Sequence, residues 1–266
     1  MTNLSISLIQ TPLHWENSEK NLKMLASRIK NADKKTDLII LPEMFSTGFT
    51  MNAQELAEPM SGKAVSWMKE QASNTGAVIA GSLLIDENEK YFNRFMWVRP
   101  DGSYEYYDKR HLFRMANEHK TMSMGFSTKI VQIRDWKINL QVCYDLRFPV
   151  WSRNSLKNDQ PMYDLLLYVA NWPAVRRKAY KSLLPARAIE NQAWVVWVNR
   201  IEKDGNGYDH SGDSAVYDPE GNLFATAGTN IATVLNVTLT GDLLPNLRKK
   251  FKVSLDWDNF NILPDN

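Results

Sequence analysis

Apolar and polar positions along the chain change period several times, and each change marks a predicted element. Residues 4–10 predict a strand, and apolar residues then recur at helical spacing from Leu22 to Ile29, after the capping candidates Asn17 and Ser18. The β-branched apolar run at 38–41 predicts the next strand. The chain therefore begins as strand, helix, strand.

The middle of the chain first continues this alternation and then loses it. A helix is predicted at about 63–74, ending at Gly76 because glycine tolerates the left-handed conformation of a helix C-cap. Between about 82 and 140, turns at 86–88 and 100–102 join short alternating runs. This part predicts hairpins rather than helical crossovers.

The last third returns to strands and helices. A buried strand is predicted at 164–169, a helix at 176–192 that is interrupted or started at Pro185, and a strand at 194–198. A strong turn at 218–222 separates two late strands. Strand and helix alternation mixed with hairpins predicts an α/β fold and suggests two packed sheets with helices outside them.

The composition predicts one large globular domain over residues 1–266. Its 44% hydrophobic and 23% charged residues are close to globular averages, and the length allows a substantial core. The 32 basic and 30 acidic residues are interspersed and leave a net charge of +2, so neither nucleic acid nor an anionic membrane is expected as a partner. No run approaches the roughly 18 apolar residues needed to cross a bilayer.

Cys143 is the only cysteine, and it lies where a predicted buried strand ends and a turn begins. This position suggests a nucleophile at the tip of a sheet, provided that a base lowers the cost of forming the reactive thiolate. The alternative is a small buried residue chosen for packing. A single cysteine forms no internal disulfide, and together with the lack of a signal-peptide pattern this predicts a cytoplasmic protein.

Two further segments supply candidate partners for the thiol. Glu43 follows the apolar run 38–41, so it would leave the carboxyl end of a strand, where open α/β sheets place their chemistry. The alternative is a glutamate in the first turn of a helix. Lys109 lies in an aromatic stretch after the turn at 100–102; taken alone, it is better explained as a surface cation.

Together, the order Glu43, Lys109, Cys143 resembles the nitrilase superfamily of carbon-nitrogen hydrolases, which carry a Glu-Lys-Cys triad. The similarity covers nearly the whole chain, and three motifs in the right order are more specific than any one. The segments that carry it are Leu41-Pro42-Glu43-Met44, Asp108-Lys109-Arg110-His111-Leu112-Phe113, Cys143-Tyr144-Asp145-Leu146-Arg147-Phe148-Pro149, Ala170-Asn171-Trp172-Pro173, 186–192, 198–200 and 212–214. The segment 114–119 looks most like the bacterial ω-amidase branch.

The resemblance implies a four-layer α-β-β-α sandwich and pairing of subunits into a homodimer or a higher homo-oligomer. The stretch 243–266 looks like a C-terminal arm that packs on a partner subunit. The alternative is a loosely ordered tail with a solvated basic run.

The resemblance also implies a role for each site residue. Glu43 would be the general base, Cys143 the nucleophile, and Lys109 the cation beside the developing oxyanion, with the backbone N–H of Tyr144 as a second donor. Glu118 would orient Lys109 or the substrate amide. The alternative for Glu118 is a solvent-facing side chain.

The ω-amidase branch hydrolyses the terminal amide of small α-keto dicarboxylic acid monoamides, such as 2-oxoglutaramate and 2-oxosuccinamate. Such a substrate needs a cation opposite the thiol, and Arg176 or Arg177 would provide it, unless both belong to a solvated helix start. Phe49, Phe113 and Trp172 would shape the pocket, whereas two other tryptophans, Trp194 and Trp197, are assigned to the core.

No cofactor or metal is predicted. The chain has no glycine-rich nucleotide motif, and its histidines lack the spacing of zinc ligands. His111 is more easily explained as a packed or surface residue than as a brace for the site. Two other functions remain: another carbon-nitrogen hydrolase, acting on a nitrile, an N-carbamoyl amine or a damaged metabolite, and a non-catalytic binding protein with a redox-sensitive Cys143.

Overall fold

The computed structural model describes residues 1–262. The strands are β1 (Leu4–Gln10), β2 (Leu38–Ile40), β3 (Val78–Glu87), β4 (Lys90–Val98), β5 (Tyr104–Asp108), β6 (Ile130–Ile133), β7 (Trp136–Val142), β8 (Leu156–Lys157), β9 (Gln160–Pro161), β10 (Leu165–Ala170), β11 (Trp194–Asn199), β12 (Ile201–Lys203), β13 (Asp209–Ser211), β14 (Ala215–Tyr217), β15 (Leu223–Thr226) and β16 (Thr233–Leu239). The α-helices are α1 (Ser18–Ile29), α2 (Ala53–Leu56), α3 (Lys63–Thr75), α4 (Glu118–Thr121), α5 (Pro149–Ser152), α6 (Arg177–Asn191) and α7 (Leu243–Lys250). Short 3-10 turns are formed at Arg114–Ala116, Cys143–Arg147, Ala174–Arg176 and Val253–Asp256.

Two six-stranded sheets form the centre of the molecule, in the orders β16-β1-β2-β3-β4-β5 and β15-β14-β11-β10-β7-β6. In the first sheet β1, β2 and β3 pair in parallel, and in the second β7, β10 and β11 do so. The outer strands of both sheets pair antiparallel. Each sheet therefore has a parallel centre whose carboxyl ends share one edge.

Neighbouring side chains on β2 show how the layers are stacked. Leu38 belongs to the same core cluster as Ile138 of the second sheet. Ile39 points to the other face, because successive strand residues alternate, and it joins a cluster with Leu25 of α1 and Met68 of α3. The first sheet thus packs against helices on one face and against the second sheet on the other.

The outer face of the second sheet is covered by α6. Tyr180, Leu184 and Ala188 lie on one side of this helix and are buried in the cluster that contains β10 and β11. The order of layers is therefore helix, sheet, sheet, helix. The prediction of an α/β fold built as an α-β-β-α sandwich is confirmed.

The hairpins and the predicted helix ends also agree with the structure. Turns join β3 to β4 and β4 to β5, and each pair is antiparallel. Helix α3 ends at Thr75, and Gly76 follows with a φ of +69° as its left-handed C-cap. The Asn17 side chain accepts a hydrogen bond from the Lys20 N–H and caps α1.

The predicted break at Pro185 is wrong, because Pro185 lies inside the continuous helix α6. A proline within a helix removes one backbone hydrogen bond, to the carbonyl four residues earlier. That residue is Lys181, which is exposed, so water can satisfy the freed carbonyl. The helix therefore continues through the proline.

The C-terminal helix α7 packs on its own chain. Leu244 is fully buried in the core, and the Arg248 guanidinium donates to an Asp164 carboxylate oxygen at 2.7 Å and to the Gln192 carbonyl at 2.9 Å. Of the predicted arm at 243–266, residues 263–266 lie outside the described part of the chain. Within residues 243–262, the segment begins with α7, which is held against the rest of its own chain by Leu244 and Arg248.

The ends of four strands converge at one place. Glu43 follows β2 by three residues, Lys109 follows β5 directly, Cys143 follows β7 directly and Asn171 follows β10 directly. Two of these strands belong to each sheet, so the polar residues meet where the two sheets face each other.

Candidate active site

Cys143 occupies a sharp turn between β7 and the 3-10 turn that follows it. Its φ is +44°, in the left-handed region that costs energy for a residue with a Cβ, and its side chain is 8% exposed. A strained residue between a strand and a helical turn holds its side chain away from the sheet hydrogen bonds. The thiol is thus held at the tip of β7.

The buried carboxylate of Asp145 holds this turn in place. One of its oxygens accepts from the Val142 N–H at 2.9 Å and the Tyr107 hydroxyl at 2.8 Å. The other accepts from the His111 N–H at 3.0 Å and lies 2.8 Å from His111 Nδ1. His111, whose ring also stacks on Phe148 with centroids 3.8 Å apart, is a packed residue that supports the turn.

Glu43 is fully buried and is held by three N–H donors. Lys109 Nζ and Asn93 Nδ2 donate to Oε1 at 2.9 and 2.8 Å, and the Asn171 N–H donates to Oε2 at 2.7 Å. The Cys143 thiol lies close enough to this carboxylate for the negative charge of Glu43 to raise the pKa of the thiol. Glu43 therefore lies between the lysine and the thiol, where it can exchange a proton with sulfur.

Lys109 lies between two carboxylates. Its Nζ is 3.0 Å from each oxygen of Glu118, which is also fully buried and accepts from the Phe113 N–H at 2.5 Å. Burial alone would lower the pKa of Lys109, but the carboxylates of Glu118 and Glu43 outweigh it and raise the pKa. The lysine therefore remains a cation throughout the neutral range.

The Cys143 thiol is protonated at neutral pH. Burial raises its pKa well above the usual value, the Glu43 carboxylate raises it further, and the Lys109 ammonium opposes the shift only in part. The nucleophile is therefore a neutral thiol beside an acceptor, and its proton has to be removed as sulfur attacks.

A cavity of about 600 Å³ opens above Cys143 and Lys109. All five residues predicted to bind the substrate line it, namely Phe49, Phe113, Tyr144, Trp172 and Arg176. Glu43 and Glu118 lie outside this lining set and are fully buried beside Lys109. Trp194 and Trp197 are fully buried in the core, as predicted.

The structure separates the two arginines proposed for the substrate anion. Arg177 pairs with the Asp213 carboxylate through two hydrogen bonds of 2.7 and 2.6 Å, and it does not line the cavity. The Arg176 guanidinium faces the ring of Phe113 at 5.1 Å in the cavity wall. Of the two, only Arg176 lies in position to meet a substrate.

Three residues near the site were not singled out by the sequence. Arg147 lines the cavity, Asn171 holds both the side chain and the backbone carbonyl of Glu43, and Asn93 Nδ2 contacts both Glu43 and Glu118. Arg147 and Asn171 lie in segments that carry the family resemblance, and this resemblance could have indicated that they belong to the site. Asn93 lies within the hairpin strand β4, and no sequence pattern indicated that it belongs to the site.

Within residues 1–262, no three His, Cys, Asp or Glu side chains are grouped so that they could hold a metal ion. Over the same residues, no helix has both the length and the apolar character needed to cross a membrane.

A sandwich that gathers a cysteine, a lysine and two glutamates beneath one small cavity has the architecture of a cysteine-dependent hydrolase. The chain belongs to the carbon-nitrogen hydrolase family, whose model matches residues 5–249, and it is therefore an enzyme that hydrolyses carbon-nitrogen bonds.

Relatives match most of the chain. Omega-amidase YafV of Escherichia coli K12 is 45% identical, covering 98% of this chain and 100% of its own. The 2-oxoglutaramate amidase of Bacillus subtilis is 32% identical, covering 84% of this chain and 86% of its own. The crystal structure of XC1258 from Xanthomonas campestris, a CN-hydrolase superfamily protein with an arsenic adduct in its active site, has a TM-score of 0.96 and 42% identity and covers 98% of this chain and 100% of its own.

Proposed function

We propose that this enzyme is an ω-amidase that hydrolyses the terminal amide of small α-keto dicarboxylic acid monoamides, such as 2-oxoglutaramate and 2-oxosuccinamate, to the acid and ammonia. The observation that carries the proposal is that Cys143 and Lys109 line one cavity that also contains arginine, with the Glu43 carboxylate buried beside Lys109 at 2.9 Å. The names of two relatives, omega-amidase and 2-oxoglutaramate amidase, support the same substrate class.

In the first step the Cys143 sulfur attacks the amide carbon while its proton passes to Glu43. A carbon–sulfur bond forms and the carbonyl electrons move onto oxygen. The Lys109 ammonium and the Tyr144 backbone N–H stabilise this oxyanion. A preorganised donor of this kind contributes about 3 to 4 kcal/mol to the transition state.

In the second step the tetrahedral intermediate collapses and the carbon–nitrogen bond breaks. The protonated Glu43 gives its proton to the leaving nitrogen, so ammonia departs and a thioester to Cys143 remains. Glu43 is then a carboxylate again. It removes a proton from water, which attacks the thioester carbon, and it returns that proton to sulfur as the acid leaves.

Glu118 acts on Lys109 rather than on the substrate. Its carboxyl group accepts hydrogen bonds from the Lys109 ammonium, the Phe113 N–H and the Asn93 amide. Burial raises the pKa of Glu118, and the Lys109 ammonium beside it opposes that shift. It therefore keeps Lys109 charged and fixed when Glu43 becomes protonated during turnover.

The cavity favours a short, flat acyl chain. Phe49 and Phe113 line it with aromatic surface, as does Trp172, and a volume of about 600 Å³ matches a small ligand. Arg176 lies in the same wall and binds the carboxylate of the substrate in this proposal.

The direct test is ammonia release from 2-oxoglutaramate, 2-oxosuccinamate, glutamine, simple nitriles and N-carbamoyl amino acids, with Cys143→Ala as the control. Release from the keto-acid amides alone, lost in the variant, is the expected result. Activity confined to nitriles or N-carbamoyl compounds would assign the enzyme to another branch of the family. No turnover of any compound, with Cys143 readily oxidised, would favour a binding protein.

We also propose that the enzyme works in the cytoplasm as a homodimer or a higher homo-oligomer. A catalytic thiol lasts longest in a reducing compartment. Exposed apolar side chains on α6 and β15, namely Ile189, Leu223 and Phe224, offer a surface for a second copy. Light scattering during size-exclusion chromatography tests this; a monomer at micromolar concentration would contradict it.

A further inference from the structure

The 3-10 turn Cys143–Arg147, called the nucleophile turn below, contains a backbone carbonyl that its own hydrogen-bond pattern cannot satisfy. In such a turn each carbonyl accepts from the N–H group three residues later. The Asp145 carbonyl does so, since it accepts from the Phe148 N–H at 3.0 Å. The next carbonyl belongs to Leu146, and three residues later comes Pro149, which has no N–H group. A donor for the Leu146 carbonyl therefore has to come from elsewhere.

Arg187 of α6 supplies this donor. Its guanidinium donates to the Leu146 carbonyl at 2.7 Å, although the two residues are 41 positions apart in the sequence. Its other terminal nitrogen donates to a Glu190 carboxylate oxygen at 3.0 Å, and the Arg187 side chain is almost completely buried. Hydrogen bonds from a charged donor are shorter and stronger than those between neutral groups. The guanidinium is thus fixed between its own helix and the nucleophile turn.

The same end of α6 also holds the segment that follows the nucleophile turn. The Asn191 side-chain oxygen accepts from the Asn154 N–H at 2.7 Å, and the Glu190 carbonyl accepts from the Arg153 guanidinium. The helix itself is anchored on the second sheet by buried apolar residues such as Leu184. The Arg187 side chain therefore extends from a helix that is fixed on both sides.

The nucleophile turn carries two of the groups that take part in the reaction. Cys143 begins it at a φ of +44°, and Tyr144 follows with the backbone N–H that was assigned to the oxyanion. The turn is only five residues long and is closed by 3-10 hydrogen bonds, so a tilt of the Leu146 carbonyl also changes the directions of the thiol and of this N–H. Asp145 holds the start of the turn, and Arg187 holds its later part.

We propose that Arg187 is a positioning residue for the hydrolysis, which acts through the Leu146 carbonyl to hold the Cys143 thiol and the Tyr144 N–H in their reactive directions. Arg187 does not line the cavity, so it acts without touching the substrate. The inference goes beyond the proposed function, because this role is the same for any carbon-nitrogen bond that Cys143 attacks. The competing explanation is that Arg187 only stabilises the packing of α6.

The test removes the guanidinium and then returns it in solution. We expect Arg187→Ala to lower kcat for ammonia release from 2-oxoglutaramate about 100-fold, because a small misplacement of reacting groups costs about this much. KM should hardly change, since Arg187 lies outside the cavity wall. Guanidinium chloride at a non-denaturing concentration should restore part of kcat, and sodium chloride at the same ionic strength should not. Guanidinium weakens folded proteins, so this gain cannot come from general stabilisation.

A second variant and two controls accompany this test. Arg187→Lys keeps the charge but lacks the planar fork that spans Leu146 and Glu190, so its kcat should lie between those of the wild type and Arg187→Ala. Leu184→Val, on the buried face of the same helix, should lower the melting temperature and keep kcat. Lys178→Ala removes an exposed cation from α6 and should change neither quantity.

The outcomes distinguish this inference from the proposed function. A normal kcat in Arg187→Ala, a loss that guanidinium does not reverse, or a rise in KM alone would overturn the positioning role and leave the ω-amidase assignment intact. If Arg187→Ala does not fold, a normal kcat in Arg187→Lys would overturn it instead.

A wild-type enzyme that does not hydrolyse 2-oxoglutaramate would overturn only the proposed function. The same comparison of variants would then use the amide or nitrile from which the wild type does release ammonia, and it would decide the role of Arg187 there. No turnover of any compound would overturn both.

Discussion

At the scale of single residues, the thiol of Cys143 and the carboxylate of Glu43 affect each other in opposite ways. The Glu43 carboxylate raises the pKa of Cys143 and so keeps the thiol protonated, yet the same carboxylate is the acceptor for that proton during attack. The site therefore differs from one that stores a thiolate as an ion pair. Sulfur becomes reactive only when a substrate and Lys109 are in place.

This arrangement predicts opposite effects of one substitution on ionisation and turnover. Glu43→Gln removes the negative charge that adds to burial in raising the pKa of Cys143, so the thiolate should form at a lower pH in the variant than in the wild type. Turnover should fall at least about 100-fold, because the proton acceptor is gone. Ultraviolet absorbance of the thiolate, with Cys143→Ala as baseline, measures the first effect and ammonia release the second.

Two results would contradict this account of Glu43. One is a wild-type thiol that is already ionised near neutral pH. The other is full turnover in Glu43→Gln, which would show that Glu43 is not the proton acceptor.

Glu118 provides a second test at this scale. Glu118→Gln keeps the shape of the side chain but removes one of the two carboxylates that hold Lys109 as a cation. We expect kcat to fall about 100- to 1,000-fold with little change in KM, because oxyanion stabilisation is lost and substrate contacts are not. Steady-state kinetics and circular dichroism measure activity and folding together.

The matched control for this charge is Glu70→Gln, on an exposed position of α3, which should behave as the wild type. A Glu118→Gln enzyme with normal kcat would show that Glu43 alone suffices to hold Lys109.

At the scale of elements, the turn after β7 works as a unit. Its strained residue, Cys143, stays at a φ of +44° because the Asp145 carboxylate two residues later accepts hydrogen bonds from both strand and loop neighbours. The same carboxylate reaches the lysine segment through Tyr107 and His111. The turn thus fixes the relative positions of the nucleophile and the lysine.

Asp145→Asn should therefore reduce both stability and activity. The new amide nitrogen cannot accept a hydrogen bond, so at least one buried donor, such as the Tyr107 hydroxyl, loses its acceptor. We expect a loss of about 1 to 3 kcal/mol in the free energy of unfolding, measured by urea denaturation, together with a lower kcat. Asp159→Asn, an exposed acid between β8 and β9, is the control.

If Asp145→Asn lost activity at unchanged stability, its carboxylate would act on the chemistry through its charge. If it changed neither, the turn would be held by the strand pairing of β7 alone.

At the scale of the whole molecule, the core between and around the two sheets buries tyrosine hydroxyls and a thiol as well as apolar side chains. Burial raises the pKa of Tyr107, Tyr163 and Cys143 well above their ordinary values. In the unfolded chain these groups lose protons at their ordinary pKa, while the folded protein keeps them. The stability they contribute is fully present below the unfolded pKa values and is lost as the pH rises above them.

The melting temperature should therefore be nearly constant around neutral pH and fall above about pH 9 to 10, where free thiols and tyrosines ionise. Tyr163→Phe should make the alkaline decline shallower, at a cost of about 1 kcal/mol near neutral pH from the lost hydrogen bond to the Ser152 carbonyl. Calorimetry across pH checks both effects. An identical alkaline decline in Tyr163→Phe would contradict the assignment.

The elements of the fold could be predicted from the sequence because each depends on local chemistry. Strand β1 coincides with a largely apolar run, and α3 ends just before Gly76 because glycine adopts a φ of +69° without strain. Pro185 misled the prediction, because the helix continues through this proline, where the carbonyl that loses its hydrogen bond belongs to the exposed residue Lys181. Whether that carbonyl faces water is a property of the packed molecule.

Local sequence patterns were enough to predict the α/β class and most helix and strand positions, and three motifs gave the candidates Glu43, Lys109 and Cys143. The packed molecule was needed to show that Glu118 turns inward to Lys109, that Asn93 joins them, and that Arg147 rather than Arg177 lines the cavity beside Arg176. Helix and strand propensities act between near neighbours in sequence, whereas burial, ion pairing and stacking depend on which strand ends the two sheets bring together.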